Sequence, residues 1–194
     1  MEVYDYPHFC LQAAVCLLTD VKNGPEIRKK IVQAATCQGE EGNALRDAVN
    51  FAFIDARLIT SILHLQTAIY YALLAQSQEC LRTKTVHSEI LWALNPSNNI
   101  SEAIRRYGLS DSTTSLFVVE IGAIPSHLDK INAIVDGTVS PFARLPEITD
   151  WGTIRKYHKL NNELAIQHIE DTTVANAMID EIVISTVAMK SVSQ

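Results

Sequence analysis

Apolar and polar positions along the chain fall into segments of different period. Residues 9–18, Phe-Cys-Leu-Gln-Ala-Ala-Val-Cys-Leu-Leu, are almost continuously apolar. A run of that length between polar flanks predicts a buried strand. Asn23-Gly-Pro-Glu26 opens a helix, with Pro25 suited to the first turn and Glu26 to the positive dipole end, and with Ile27, Ile31 and Ala34 or Ala35 as its buried stripe. Residues 38–50 carry Gly39, Gly42 and three acids, the composition of a surface loop with at most one helical turn. Phe51–Ile54 predicts a short strand, after which Asp55 caps a helix. That helix is the clearest in the chain: Leu58, Ile62, Leu65, Ile69 and Leu73 recur at spacings of 4, 3, 4 and 4 on one face, ending near Gln78. A shorter helix spans Thr85–Leu94. Asn99 and Glu102 have the form of a capping box for a helix over 100–107, with Ile100, Ala103, Ile104 and Tyr107 on its buried face and Gly108 as a left-handed stop.

Thr114–Ile121 reads as a strand around Phe117, Val118 and Val119. Ser126 caps a helix carrying Leu128, Ile131 and Val135, closed by Gly137. Pro141 and Pro146 bracket a loop, and Asp150 opens a helix through Lys156. The last long helix runs from Thr172 to Met189. Its apolar residues Val174, Met178, Ile179, Ile182, Val183 and Val187 spread around much of the circumference. Such a helix is either deeply buried or covered by a partner. The sum is an α+β fold: one helix-rich domain over 1–194, with a small mixed or mainly antiparallel sheet packed against helices.

Composition narrows the function. The 194 residues carry a net charge of −6, with 47% hydrophobic and 20% charged, which argues for a globular chain and against a surface that grips nucleic acid everywhere. No apolar run reaches the length of a membrane span, and the acidic start, Met1-Glu-Val-Tyr-Asp5, makes a poor signal peptide. Cys10, Cys16, Cys37 and Cys80 form no CxxC, and are expected to be reduced, mostly buried thiols. No phosphate loop, dinucleotide fingerprint, nucleophile elbow or metalloprotease motif occurs. No histidine has a carboxylate or cysteine at a telling offset, and His64, beside the apolar face, reads as structural or solvent-facing. No catalytic constellation, metal or cofactor is expected. One segment differs in charge: Cys80–Tyr107 is +2, leaving −8 elsewhere. It also holds Thr83, Thr85, Ser88, Ser97, Asn98 and Asn99. Cations with short polar donors suit a phosphate backbone; a solvated pair of capped helices reads the same way.

The segment Leu81-Arg-Thr-Lys-Thr-Val-His-Ser-Glu-Ile-Leu-Trp-Ala-Leu-Asn-Pro-Ser-Asn-Asn-Ile-Ser-Glu-Ala-Ile-Arg-Arg-Tyr-Gly-Leu109 resembles the kinase-binding subunit of the KEOPS (EKC) complex, the PRPK-binding protein family. Asp20-Val-Lys-Asn-Gly-Pro-Glu-Ile-Arg-Lys-Lys30, Phe51-Ala-Phe-Ile-Asp-Ala-Arg-Leu58, and Leu145-Pro-Glu-Ile148 with Ile154-Arg-Lys-Tyr-His-Lys-Leu160 agree, in collinear order, and Phe51–Asp55 looks most like fungal members. The polar insertion 38–50 and the C-terminus depart from the pattern. The resemblance implies a non-catalytic subunit of nucleus and cytoplasm that binds the atypical kinase/ATPase of KEOPS. That complex helps place threonylcarbamoyl-adenosine on tRNA. Archaeal relatives capture the tRNA 3′ CCA end, and fungal members are linked to telomere maintenance. Carried over, Arg82, Lys84 and Thr85 would meet 3′-end phosphates, and Ser97, Asn98, Asn99 and Ile100 would hold or stack the terminal nucleotides. The surplus apolar surface of the last helix points to Met178, Ile182 and Val183 as the kinase-facing residues, or as plain core.

Overall fold

A computed structural model describes residues 1–123 and 128–190. The strands are β1 (Glu2–Tyr6), β2 (Leu11–Thr19), β3 (Ala52–Asp55), β4 (Leu116–Gly122) and β5 (Thr138–Ser140). The helices are α1 (Gly24–Thr36), α2 (Gly39–Ala48), α3 (Ile62–Ser77), α4 (Val86–Leu94), α5 (Ile100–Tyr107), α6 (Leu128–Ile134), α7 (Leu145–Ile148), α8 (Trp151–Tyr157), α9 (Leu164–Gln167) and α10 (Thr172–Ala188).

The sheet order is β1-β2-β4-β3, and β5 pairs with β2 beside β1. All of these pairings are antiparallel. β2 pairs with β1 along Leu11–Val15 and with β5 along Leu17–Thr19, while β4 runs along its other side. The alternation of side chains across a strand explains the continuous apolar run. Ala13, Val15 and Leu17, with Ile54, Phe117 and Val119, enter a core closed by α3, α4 and α10. Cys16 and Leu18, with Phe53, Leu116 and Val118, enter a second core closed by α1 and α6. The result is a sheet covered on both faces, an α+β domain as the pattern predicts.

Several local expectations are corrected. Residues 38–50 are helical: α2 packs on α1, and Arg46 Nη1 donates to the Ala34 and Cys37 carbonyls at 3.1 and 2.9 Å, satisfying the end of α1. Gly42 is needed there because a Cβ would sit 2.3 Å from the Cys37 carbonyl oxygen. Asp55 does not cap the long helix. It accepts from the Arg57 backbone N–H at 3.1 Å and from the Arg57 guanidinium at 2.6 Å, closing a 3-10 turn over Ala56–Leu58. Ser61 caps α3 instead, accepting from the His64 N–H at 3.1 Å. Leu58 therefore lies outside that helix. Ile100 and Ile104 are exposed, whereas Ala103 and Tyr107 are buried. Gly108 is extended, not left-handed, and is required because a Cβ would lie 2.4 Å from the Ile104 carbonyl oxygen. Only Cys16 of the four thiols is buried. The expected cap at Ser126 lies outside the described residues.

Candidate functional site

The segment singled out by charge is built on one buried rod, α4. At its N-terminus Thr85 Oγ1 accepts from the Ser88 N–H at 3.1 Å and Ser88 Oγ accepts from the Thr85 N–H at 3.2 Å, a reciprocal cap. Just upstream, the Thr83 N–H and hydroxyl donate to Glu89 Oε2 at 2.8 and 2.7 Å, and Glu89 is fully buried. This fold-back leaves Arg82, Lys84 and Thr85 exposed at the positive end of the helix dipole.

The other end of α4 runs into the Asn95–Asn99 turn. Buried Asn95 donates Nδ2 to the Ser97 carbonyl and hydroxyl oxygens at 3.1 and 2.8 Å. The Ser97 hydroxyl donates to the Glu102 carboxylate, Trp92 Nε1 donates to the Asn98 carbonyl at 3.2 Å, and Asn99 Oδ1 accepts from the Glu102 N–H at 2.9 Å. The Ser97 hydroxyl, with Arg106 beyond it, holds the Glu102 carboxyl below the usual range. Glu102 thus faces Ser97 and Arg106, not the Asn99 backbone that a full capping box requires. Arg106 pairs with Glu102 at 2.7 Å and lies 4.3 Å from the Tyr157 ring centroid. The exposed cations of the segment are therefore Arg82, Lys84 and Arg105.

The turn is fastened from a distant part of the chain. Lys190, just beyond α10 and 5% exposed, donates Nζ to the carbonyls of Trp92 and Asn95, and to that of Ser97 at 3.3 Å. The ammonium also lies 4.0 Å from the Trp92 ring centroid. Burial pushes its pKa down to about 8, against the opposing pull of the Glu89 charge. A groove of about 560 Å³ lies between this turn and α10. Pro96, Ile182 and Met189 supply apolar walls, Ser97, Asn98 and Thr186 polar ones, and Lys190 reaches it as well.

The predicted RNA-facing residues form two groups. Arg82, Lys84 and Thr85 precede α4; Ser97, Asn98, Asn99 and Ile100 follow it, separated by about 13 Å of nine-residue helix. Among the kinase-facing candidates, Val183 is 0% exposed, inside the core of α3, α4 and α10, and so takes the plain-core alternative. Met178 and Ile182 are half-buried, and Ile182 lines the groove beside Ser97. Val174 and Met189 are exposed on the same helix and its end.

Burial lowers the pKa of His64 to about 3 and those of His87 and His158 to about 4. His64 Nδ1 accepts from the Thr60 N–H at 3.4 Å, His87 Nε2 from the Ile121 N–H at 3.1 Å, and His158 Nε2 lies 3.1 Å from the Tyr107 hydroxyl. These are core contacts. Among the described residues no group of three or more His, Cys, Asp or Glu is placed to hold a metal, and no helix is long and apolar enough to cross a membrane.

Residues 18–191 match the family model described as kinase binding protein CGI-121. The chain belongs to the CGI-121 family. The matched span contains both ends of α4, the groove and all of α10, and leaves out β1. CGI-121 relatives agree over most of their length. A protein of Cryptococcus neoformans var. neoformans, called EKC/KEOPS complex subunit CGI121, is 32% identical across 99% of this chain and 100% of its own. The subunit of the same name in Aspergillus fumigatus is 34% identical over 82% of this chain and 84% of its own. That of Yarrowia lipolytica is 32% identical over 83% and 87%.

Proposed function

We propose that this CGI-121 chain is a non-catalytic subunit of a KEOPS/EKC complex, which binds an atypical kinase and takes the 3′ CCA end of tRNA. The observation that carries the RNA part is the groove at the Ser97–Asn98 turn, flanked at the far end of α4 by exposed Arg82 and Lys84. Cations and a helix N-terminus suit phosphates, and an apolar groove with polar lips suits an unstacked base. The kinase part rests on family membership and on the exposed apolar Val174 of α10, with half-buried Met178 one turn on. Chemistry occurs on other subunits; this chain supplies affinity and position. Activity in tRNA modification, a link to telomere maintenance and residence in nucleus and cytoplasm belong to the same proposal.

A second reading, a kinase scaffold without RNA, is favoured by one observation. Thr85 Oγ1 and Asn99 Oδ1 are already used as helix caps. Binding of tRNA with an intact or a trimmed 3′ CCA end, by the purified full chain, separates the two. Preference for the intact end supports RNA capture, and equal or absent binding leaves the scaffold. Co-purification with the kinase tests the protein partner.

A further inference from the structure

Lys190 carries three N–H donors and faces three carbonyls, those of Trp92, Asn95 and Ser97. Trp92 and Asn95 lie at the C-terminal end of α4, where unpaired carbonyls and the negative dipole end favour a cation. The ammonium is buried, so its donors are occupied inside the protein and are not also offered to a ligand phosphate. The other wall of the groove belongs to α10, the helix that ends just before Lys190. One side chain therefore ties the turn directly to the end of α10.

We propose that Lys190 is the positioning residue of the RNA-binding groove, holding the Pro96–Asn98 turn against the end of α10 without itself contacting RNA. This inference rests on the reading given under Proposed function. Among the described residues, the charged and titratable groups on or beside the turn and the ammonium include Glu89 on α4, Glu102 and Arg106 on α5, and His158 beyond α8. His158 titrates near 4 and the Glu102 carboxyl below its usual range, so neither changes charge near pH 8. Deprotonation of Lys190 leaves two N–H donors and aims a lone pair at the third carbonyl. Because the fold lowers this pKa, the folding contribution of this group improves as pH rises from about 8 toward the unfolded value. A loss of binding there is not a loss of fold.

The test uses the full chain, tRNA with an intact CCA end and tRNA trimmed of it. Lys190→Met keeps an unbranched stem over Trp92 and removes the donors. The expected result is a loss of about fivefold or more in affinity for intact tRNA, the order of one lost hydrogen bond, with unchanged salt slope and retained kinase co-purification. Affinity equal to wild type overturns the proposal. A salt slope flatter by about one counterion also overturns it, since that is the mark of a direct phosphate contact. Should the variant fold poorly, the wild-type chain decides: its preference for intact over trimmed tRNA is expected to fall between pH 7 and pH 9, and a flat profile overturns the proposal. A wild-type chain with no preference for the intact end overturns the RNA reading itself, and is distinguished by needing no variant.

Discussion

Lys84 stands exposed immediately before the Thr85 cap, while its neighbour Thr83 is turned inward onto buried Glu89. A charge reversal at Lys84 should leave the fold unchanged and weaken tRNA binding. Lys84→Glu is expected to flatten the slope of log affinity against log salt by about one, and titrations at several salt concentrations measure it. Single residues were legible in the sequence where their role is local. Asn99 and Asp150 cap the helices expected of them, because a cap reaches only two or three residues along the chain. Val183 and Lys190 were not. Whether an apolar residue of a helix is core or surface depends on what packs there, and Lys190 meets partners 93 to 98 positions away. A basic residue just past the last helix was a visible signal, but nothing local names its acceptors.

The long helix α3 shows how an element can be read correctly and its beginning misread. Its period fixed the apolar face, yet Asp55 is held by Arg57 and Thr113, and a 3-10 turn intervenes before Ser61 takes over as cap. Ser61→Ala should therefore cost about 1 kcal/mol of stability, measured by urea unfolding. Loss of the cap is the reason, since the rest of α3 stays packed. Helix α2 was hidden because glycines and acids read as loop, whereas Arg46 and the close approach at Gly42 make it a helix on α1. Strands β1 and β5, of five and three residues, were too short for their period to register. On α10, exposed Val174 lets the proposed kinase-facing side be tested. A Val174→Asp chain should fold, since Val174 is exposed, and lose kinase co-purification; retention of the kinase would remove this stretch of α10 from the interface.

The whole molecule responds to acid through groups that no motif contains. His64 and His87 are buried and His158 half-buried, all three neutral, with pKa values pushed down by desolvation to about 3, 4 and 4. The unfolded chain takes up these protons near pH 6.5 and the native chain does not. Stability should fall as pH drops from about 6.5 toward 4, by up to about 1.4 kcal/mol per pH unit for each histidine. Urea midpoints at pH 7 and pH 5 check this, and equal midpoints would refute it. At this scale the α+β class was legible, because the continuous apolar run of β2 and the period of α3 are strong; the meeting of the Ser97 turn with α10 was not, because it is a product of packing. That meeting makes one feature out of two distant parts of the chain. The turn lies 93 to 98 positions before the lysine that fastens it, and the facing wall is a helix whose inner side also closes the main core. A chain cut short before Thr172 would carry every cation of the Cys80–Tyr107 segment and still have no groove. The groove is thus joint property of two segments far apart in sequence, and it exists only where both are folded against one another.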